Sequence, residues 1–193
     1  MLRRAVFYSV LALLMGSACW HLGDGLWIHG KAWLAQRLVQ RAWAVTLDRG
    51  LSQRPWPWAD TRPVARLIVP RLAVDQIVLD GATGRTLAFG PGLVAGTAVP
   101  GSAGATVISG HRDTHFAWLR HLRSGDVVRV ITDTGAPQRY RVVTRRVYDT
   151  RKGGLYGDPM APALYLTTCY PFDALDPGGP LRLVLKALPV SKV

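Results

Sequence analysis

The chain has 193 residues, of which 49% are hydrophobic, and it carries 24 Lys and Arg against 12 Asp and Glu. This length and apolar content exclude a disordered chain and are sufficient for one domain with a sizeable core. The net charge of +12 suits either nucleic acid or an anionic membrane. However, the sequence has no basic run of five residues and no aromatic-plus-basic RNA motif, so we expect no nucleic-acid partner.

The first segment predicts a membrane anchor. Arg3 and Arg4 precede residues 5–22 (AVFYSVLALLMGSACWHL), which have no formal charge and are long enough to span a bilayer. The basic residues place the N-terminus in the cytoplasm and the remainder of the chain outside. A cleaved signal peptide is the alternative, but no small-x-small site followed by a polar start is present. We predict that residues 1–23 form a retained single-span anchor.

Residues 24–62 predict an amphipathic helix followed by a linker. The helix should end at Gly50, and its apolar residues recur at helical spacing: Leu34, Leu38, Ala42 and Val45. The stretch 54–63 (RPWPWADTRP) is too rich in proline for a regular element, so we interpret it as an extended linker.

From residue 63 to residue 193 the pattern changes to short β-branched runs bounded by turn residues. About seven or eight strands are predicted, with one helix-like piece between them at residues 115–122. Strands and helices do not alternate in the manner of βαβ units. The sequence therefore predicts an all-β domain, an antiparallel barrel or sandwich.

The two cysteines lie in different parts of the predicted domain organisation. Cys19 falls inside the anchor and Cys169 in the exported domain, so a disulfide between them is not expected. Exported domains tend to pair their thiols or lack them. Cys169 is therefore either a small buried hydrophobe or a reactive thiol, and composition alone favours the first interpretation.

Three side chains capable of chemistry occur at or near strand ends. His111 follows a strand and Gly110, Cys169 ends another strand, and Arg182 lies in the final strand. A thiolate is a nucleophile, and an imidazole can exchange a proton with it. A guanidinium can stabilise a developing oxyanion. Strand ends at one rim of a barrel allow such residues to converge.

The motifs around these residues resemble those of the sortases, the cysteine transpeptidases that cut a C-terminal sorting signal. The matching stretches are LTTC at 166–169, SGHR at 109–112 and LRLVL at 181–185, in the order His, Cys, Arg. The resemblance covers residues 64–188. HRDTHF and TCYPFDA together are most similar to the sortases of Gram-negative proteobacteria, known as class GN.

The resemblance implies an eight-stranded sortase β-barrel and a defined reaction. Cys169 would attack the Thr–Gly bond of an LPxTG-like signal and form a thioacyl enzyme. His111 would act as acid and base, and Arg182 would hold the oxyanion or the substrate backbone. The alternatives are a cysteine hydrolase that releases its product to water and a non-catalytic envelope scaffold.

The resemblance also implies partners and a location. The partners would be a dedicated target protein carrying the sorting signal and an amine acceptor in the cell envelope. The anchor would hold the domain on the periplasmic face of the inner membrane. No cofactor is expected.

Substrate contacts are predicted for residues that adjoin the three: Gly110, Asp113, His115, Thr168 and Tyr170. For Asp113 and His115, local capping of the turn is an equally good interpretation.

A zinc site is not expected in HRDTH, because the zinc protease motif requires Glu after the first His. No metal of any other kind is predicted. One position departs from the family pattern: Tyr165 stands where the usual Thr-Leu-x-Thr-Cys stretch begins. The lining of the substrate pocket should therefore differ from that of other sortases.

Overall fold

The computed structural model describes residues 2–153, 160–174 and 178–190, with side chains for all of these except Leu2 and Ala5. Within these ranges the helical elements are two α-helices, α1 and α2, and three short 3-10 turns. Their bounds are Leu2–Arg49 for α1 and Gly84–Leu87 for α2, with 3-10 turns at Pro70–Leu72, Ala117–His121 and Thr150–Lys152.

The N-terminal anchor and the amphipathic segment form one continuous helix, α1, instead of two separate elements. It ends directly before Gly50, as predicted, and Gly50 has a φ of 65° that glycine adopts without a Cβ clash. Among the described helices, α1 is long and apolar enough to cross a membrane, with a mean hydropathy of 1.5 in its most apolar window.

The last part of α1, residues 38–49, packs through a stripe one position away from the predicted one. Val39, Ala42, Trp43 and Thr46 are buried, whereas Leu38 and Val45 are half-buried. Both stripes have helical spacing. The indole of Trp43 is the largest side chain of the segment and is 4% exposed.

Eight strands are present in the described residues, and they close into a barrel in the order β1-β2-β3-β4-β7-β8-β6-β5. Their bounds are β1 Pro63–Val69, β2 Val74–Asp80, β3 Gly92–Leu93, β4 Ala105–Ser109, β5 Val127–Thr132, β6 Pro137–Asp149, β7 Ala163–Cys169 and β8 Leu181–Pro189.

Two neighbouring pairs in this barrel are parallel, β2–β3 and β4–β7, and the others are antiparallel. The predicted barrel is confirmed, but the expectation that it is antiparallel throughout is wrong. Parallel neighbours need a long crossover between them. Residues 110–162, which include β5 and β6, supply that crossover from β4 to β7.

Apolar side chains from all eight described strands fill the barrel interior, and β3 contributes Leu93. Phe116, Leu119 and Leu122, from the segment after β4, complete it. Strand alternation directs Leu164 and Leu166 of β7 into this interior. The opposite face of the same strand carries Tyr165, which joins a smaller cluster with Val184 and others.

Candidate active site

Cys169 and Arg182 lie opposite each other on adjacent strands. Cys169 is the last residue of β7, and the antiparallel register pairs it with Arg182, the second residue of β8. Residues paired in this way have Cβ atoms about 4.5–5.5 Å apart. Cys169 is half-buried and carries a free thiol. A thiol and a guanidinium thus emerge side by side from one face of the sheet.

His111 reaches the same edge from the other side of β7. The parallel ladder pairs Ser109 with Thr167, and the amide of Gly110 donates to the carbonyl of Thr167 over 3.2 Å. Continuing this register by two residues sets His111 beside Cys169. The imidazole is exposed, and in the described part of the chain no hydrogen bond joins it to the thiol. Such contacts commonly form only when substrate binds.

Arg182 is fixed by the loop that precedes its own strand. Its Nη1 donates to the carbonyl oxygens of Gly179, at 2.5 Å, and Leu181, at 2.9 Å. Within the described ranges its Nε and Nη2 make no hydrogen bond. The guanidinium is thereby oriented while donors stay available for another molecule.

Gly110 and Thr168, which are predicted as substrate contacts, lie where the ends of β4 and β7 meet. Thr168 is 1% exposed, and its hydroxyl donates to the carbonyl of Gly110 over 2.7 Å. Gly110 is also buried, and a Cβ at this position would lie 2.7 Å from the ring of Phe116. Both residues therefore pack and join the ends of β4 and β7.

The other three predicted contacts lie around the edge. Asp113 is exposed and pairs with Arg112 at 3.4 Å. His115 is half-buried, and its ring donates to the carbonyl of Ala88. Tyr170 is half-buried against the core and packs edge-to-face on Phe172, with ring centroids 6.4 Å apart.

His115 lies near enough to His111 for the two charges to interact. Burial lowers the pKa of His115, the hydrogen bond to Ala88 opposes this effect in part, and repulsion from protonated His111 lowers the pKa further. The lowered pKa favours the neutral form of His115.

Arg112 is a site residue that the sequence analysis missed. Its side chain is only 6% exposed, and its Nη1 and Nη2 donate to the carbonyls of Pro171 and Ala174, each over 2.8 Å. One buried guanidinium thus ties the segment after His111 to the segment after Cys169. The sequence motif SGHR places this arginine directly after His111. Only the fold shows that its side chain points inward.

The edge formed by the ends of β4 and β7 and the start of β8 therefore presents a thiol, an imidazole and a guanidinium together. This set can supply a nucleophile, an acid–base group and an oxyanion donor for acyl transfer. The surrounding hydrogen bonds, from Thr168 to Gly110 and from Arg112 to Pro171 and Ala174, hold the strand ends and loops that carry the set.

Comparison with known proteins agrees with this arrangement. The sortase domain family matches residues 67–190, more than half of the chain. Sortase D from Bacillus subtilis (strain 168) is 30% identical over 120 residues, which are 62% of this chain and 60% of that protein. The chain thus spans less than two thirds of the length of this relative.

Solved structures with the same fold include the catalytic domain of B. anthracis SrtD, at 31% identity and a TM-score of 0.56, covering 67% of this chain and 88% of that one. A Clostridium perfringens sortase D5 transpeptidase has a TM-score of 0.66 at 17% identity, covering 82% of this chain and 99% of that one. The eight-stranded barrel, the convergence of Cys169, His111 and Arg182, and the match over residues 67–190 lead to one conclusion: the chain belongs to the sortase family.

Proposed function

We propose that this sortase is a cysteine transpeptidase that cuts an LPxTG-like sorting signal between Thr and Gly and transfers the target protein to an amine. The observation that carries the proposal is the placement of Cys169 between His111 and Arg182, fixed by two registers of the same barrel. A half-buried free thiol at this position differs from an inert core cysteine, which argues against a purely structural scaffold.

In the first step the Cys169 thiolate attacks the carbonyl carbon of the threonine. Arg182 donates to the oxyanion of the tetrahedral intermediate. The C–N bond to glycine then breaks, His111 gives its proton to the leaving amine, and a thioester to Cys169 remains.

In the second step an acceptor amine attacks the thioester carbonyl. His111 takes the proton of the incoming amine, and the C–S bond breaks to regenerate the thiolate. The product is a new amide between threonine and the acceptor. Each proton that His111 gives in the first step is recovered in the second, so the enzyme ends as it began.

The test uses the full chain in detergent micelles and a peptide with an LPxTG core. Intact mass spectrometry should show a thioacyl adduct on the wild type and none on Cys169→Ala. Absence of the adduct with every peptide variant, on a folded protein, would overturn the proposal.

The hydrolase alternative differs only in the second substrate. Added amine, for example glycinamide, should convert the cleaved peptide to the amide adduct at the expense of the free acid. If the free acid forms at the same rate with and without amine, the chain is a hydrolase.

We also propose that residues 1–23 anchor the enzyme in the inner membrane, that residues 24–62 connect it, and that the catalytic domain, residues 63–193, faces the periplasm. The apolar character of α1 and the basic residues Arg3 and Arg4 at its start support this orientation. Protease added to intact spheroplasts should degrade the catalytic domain. Protection of the domain until the membrane is lysed would contradict this orientation.

The class GN resemblance, with one dedicated target protein and an envelope amine as partners, belongs to the same proposal. Mass spectrometry of proteins trapped as thioesters on Cys169 in cells should yield one dominant target. Several unrelated targets in equal amount would argue against a dedicated pair.

A further inference from the structure

A cavity lies on the same sheet face as the catalytic cysteine, further along the strands. The β7–β8 register that pairs Cys169 with Arg182 next pairs Thr167 with Val184 and then Tyr165 with Lys186. Side chains two and four residues along a strand share one face. Tyr165 and Lys186 therefore lie on the face that bears Cys169 and Arg182.

The cavity occupies about 220 Å³ and is lined by Thr144, Arg146, Tyr148, Tyr165, Val184 and Lys186. The β6 residues fit the same plan, since the register pairs Arg146 with Val184 and Thr144 with Lys186. The lining is therefore the direct continuation of the catalytic face across three strands.

The charge of this cavity is positive. Arg146 and Lys186 both contribute to the lining, and the ammonium of Lys186 lies 5.8 Å from the centroid of the Tyr165 ring. Within the described ranges no carboxylate lies within 4.0 Å of either cation, whereas six other arginines have such a partner. Two cations and two phenol rings around one cavity suit a carboxylate.

We propose that this basic cavity binds an acidic side chain of the sorting signal and so determines which signals the enzyme accepts. The inference deepens the proposed transpeptidase function and depends on it. A cation-lined pocket at this position is also where the chain departs from the usual family stretch, since Tyr165 replaces the leading Thr.

The distance along the sheet decides which group reaches the cavity. Its two cations, Arg146 and Lys186, lie two and four residues along the sheet from the row of Cys169, which corresponds to about 7–13 Å. An extended peptide has the same rise, so the acidic residue stands about two to four positions from the scissile bond. The carboxylate of an amino-acid acceptor lies within about 4 Å of its own amine and cannot span this distance.

The experiment compares paired peptides that carry Glu or Gln at a single position. The positions are x of the LPxTG core and the second, third and fourth residues after the cut, because these are two to four residues from the bond and leave the core intact. Acylation is measured with the full wild-type chain in detergent micelles. Binding is measured separately with Cys169→Ala by fluorescence anisotropy.

We expect one position at which Glu is preferred over Gln by about tenfold, since two partly exposed cations each contribute a few-fold. The preference should fall to about threefold in Arg146→Gln and in Lys186→Gln, and below about twofold when both residues are replaced. Arg145→Gln is the matched control, because it removes the same charge from a residue adjacent in β6 whose side chain lies outside the cavity lining. The preference should weaken in high salt, and Lys186→Glu should shift it toward a peptide with Lys at that position.

Equal reaction and equal binding of the Glu and Gln peptides at every position would overturn the inference, as would a preference that survives loss of both cations. A preference for glycine over glycinamide as acceptor that depends on Lys186 would assign the cavity to the acceptor instead. A Glu preference in binding without any acylation would keep the cavity and overturn the transpeptidase. Acylation without a Glu preference would support the transpeptidase and overturn the role proposed for the cavity.

Discussion

The two faces of β7 differ in what their side chains do. Side chains on one face enter the barrel interior and are almost completely buried, and those on the other face lead along the sheet to the thiol. The interior set is Leu164, Leu166 and Thr168, and the other set is Tyr165, Thr167 and Cys169. Tyr165 and Thr167 are buried as well, so the two faces differ in the direction of their side chains and in the partly exposed Cys169 that ends the second set.

The neighbouring strand repeats this division. Leu183 and Leu185 of β8 fill the interior, whereas Arg182 stands beside Cys169 and Lys186 lines the basic cavity. Because successive side chains alternate in direction, substitutions one residue apart should affect different properties.

The largest effect is expected at Cys169. Cys169→Ala removes the nucleophile and should lower acyl transfer at least about 10³-fold. Its side chain is small and only half-buried, so the free energy of unfolding should change by less than about 1 kcal/mol. Peptide cleavage and denaturant unfolding, measured in the same detergent, report both quantities. A strongly destabilised variant would show that Cys169 also supports the fold.

The converse is expected for Leu166, three residues earlier on the opposite face. Leu166 is 1% exposed in the main core, so Leu166→Ala should lower the free energy of unfolding by about 2–5 kcal/mol. Activity per folded molecule should stay near that of the wild type. Leu188→Ala, at a position 40% exposed, serves as control and should change stability by less than about 1 kcal/mol. Equal losses in both variants would contradict the division of faces.

The sequence was informative where patterns are local. Alternation and turn residues predicted about seven or eight strands, of which the described residues contain eight, and Gly50 marked the end of α1. The site motifs are short and contiguous with strand ends, so Cys169, His111 and Arg182 could be selected before any fold was known. Their convergence follows from the pairings of β4, β7 and β8.

What the sequence did not predict depends on contacts between distant segments. The parallel pairing of β4 with β7 is a tertiary choice that strand spacing does not encode. Likewise, the sequence around His111 predicts a surface position for Arg112. Its side chain is buried instead, because it donates hydrogen bonds to the carbonyls of Pro171 and Ala174 in the segment after Cys169. The hydrogen bond from Thr168 to Gly110 is a further contact between distant segments, whereas strand alternation alone directs the Thr168 side chain to the face opposite Cys169.

Arg112 combines both properties, because it is buried like the interior set but holds the loop beside the thiol. Arg112→Met leaves the carbonyls of Pro171 and Ala174 without their donor, so we expect a loss of about 2–3 kcal/mol in stability. We also expect kcat to fall about tenfold at temperatures where the variant is fully folded, with KM less affected. Steady-state kinetics at several such temperatures separate the two effects.

Arg112→Lys and Arg139→Met complete this test. Lysine keeps the charge but cannot direct two donors at divergent carbonyls, so it should recover only part of kcat. Arg139 is exposed on β6, and its replacement should leave both stability and kcat unchanged. If folded Arg112→Met has the same kcat as the wild type, Arg112 contributes to stability only.

The smallest and most discriminating test concerns two adjacent threonines of β7. Thr168 donates a buried hydrogen bond to the carbonyl of Gly110 over 2.7 Å, whereas the Thr167 hydroxyl is buried and has no partner among the described residues. Thr168→Val should therefore lower the free energy of unfolding by about 1–2 kcal/mol, because it leaves a buried carbonyl without its donor. Thr167→Val, a change of the same shape, should raise it by up to about 1 kcal/mol, because it removes an unsatisfied buried hydroxyl. Thermal unfolding of the two variants in parallel decides the matter: shifts of the same sign would mean that the two faces of β7 do not differ as their contacts indicate.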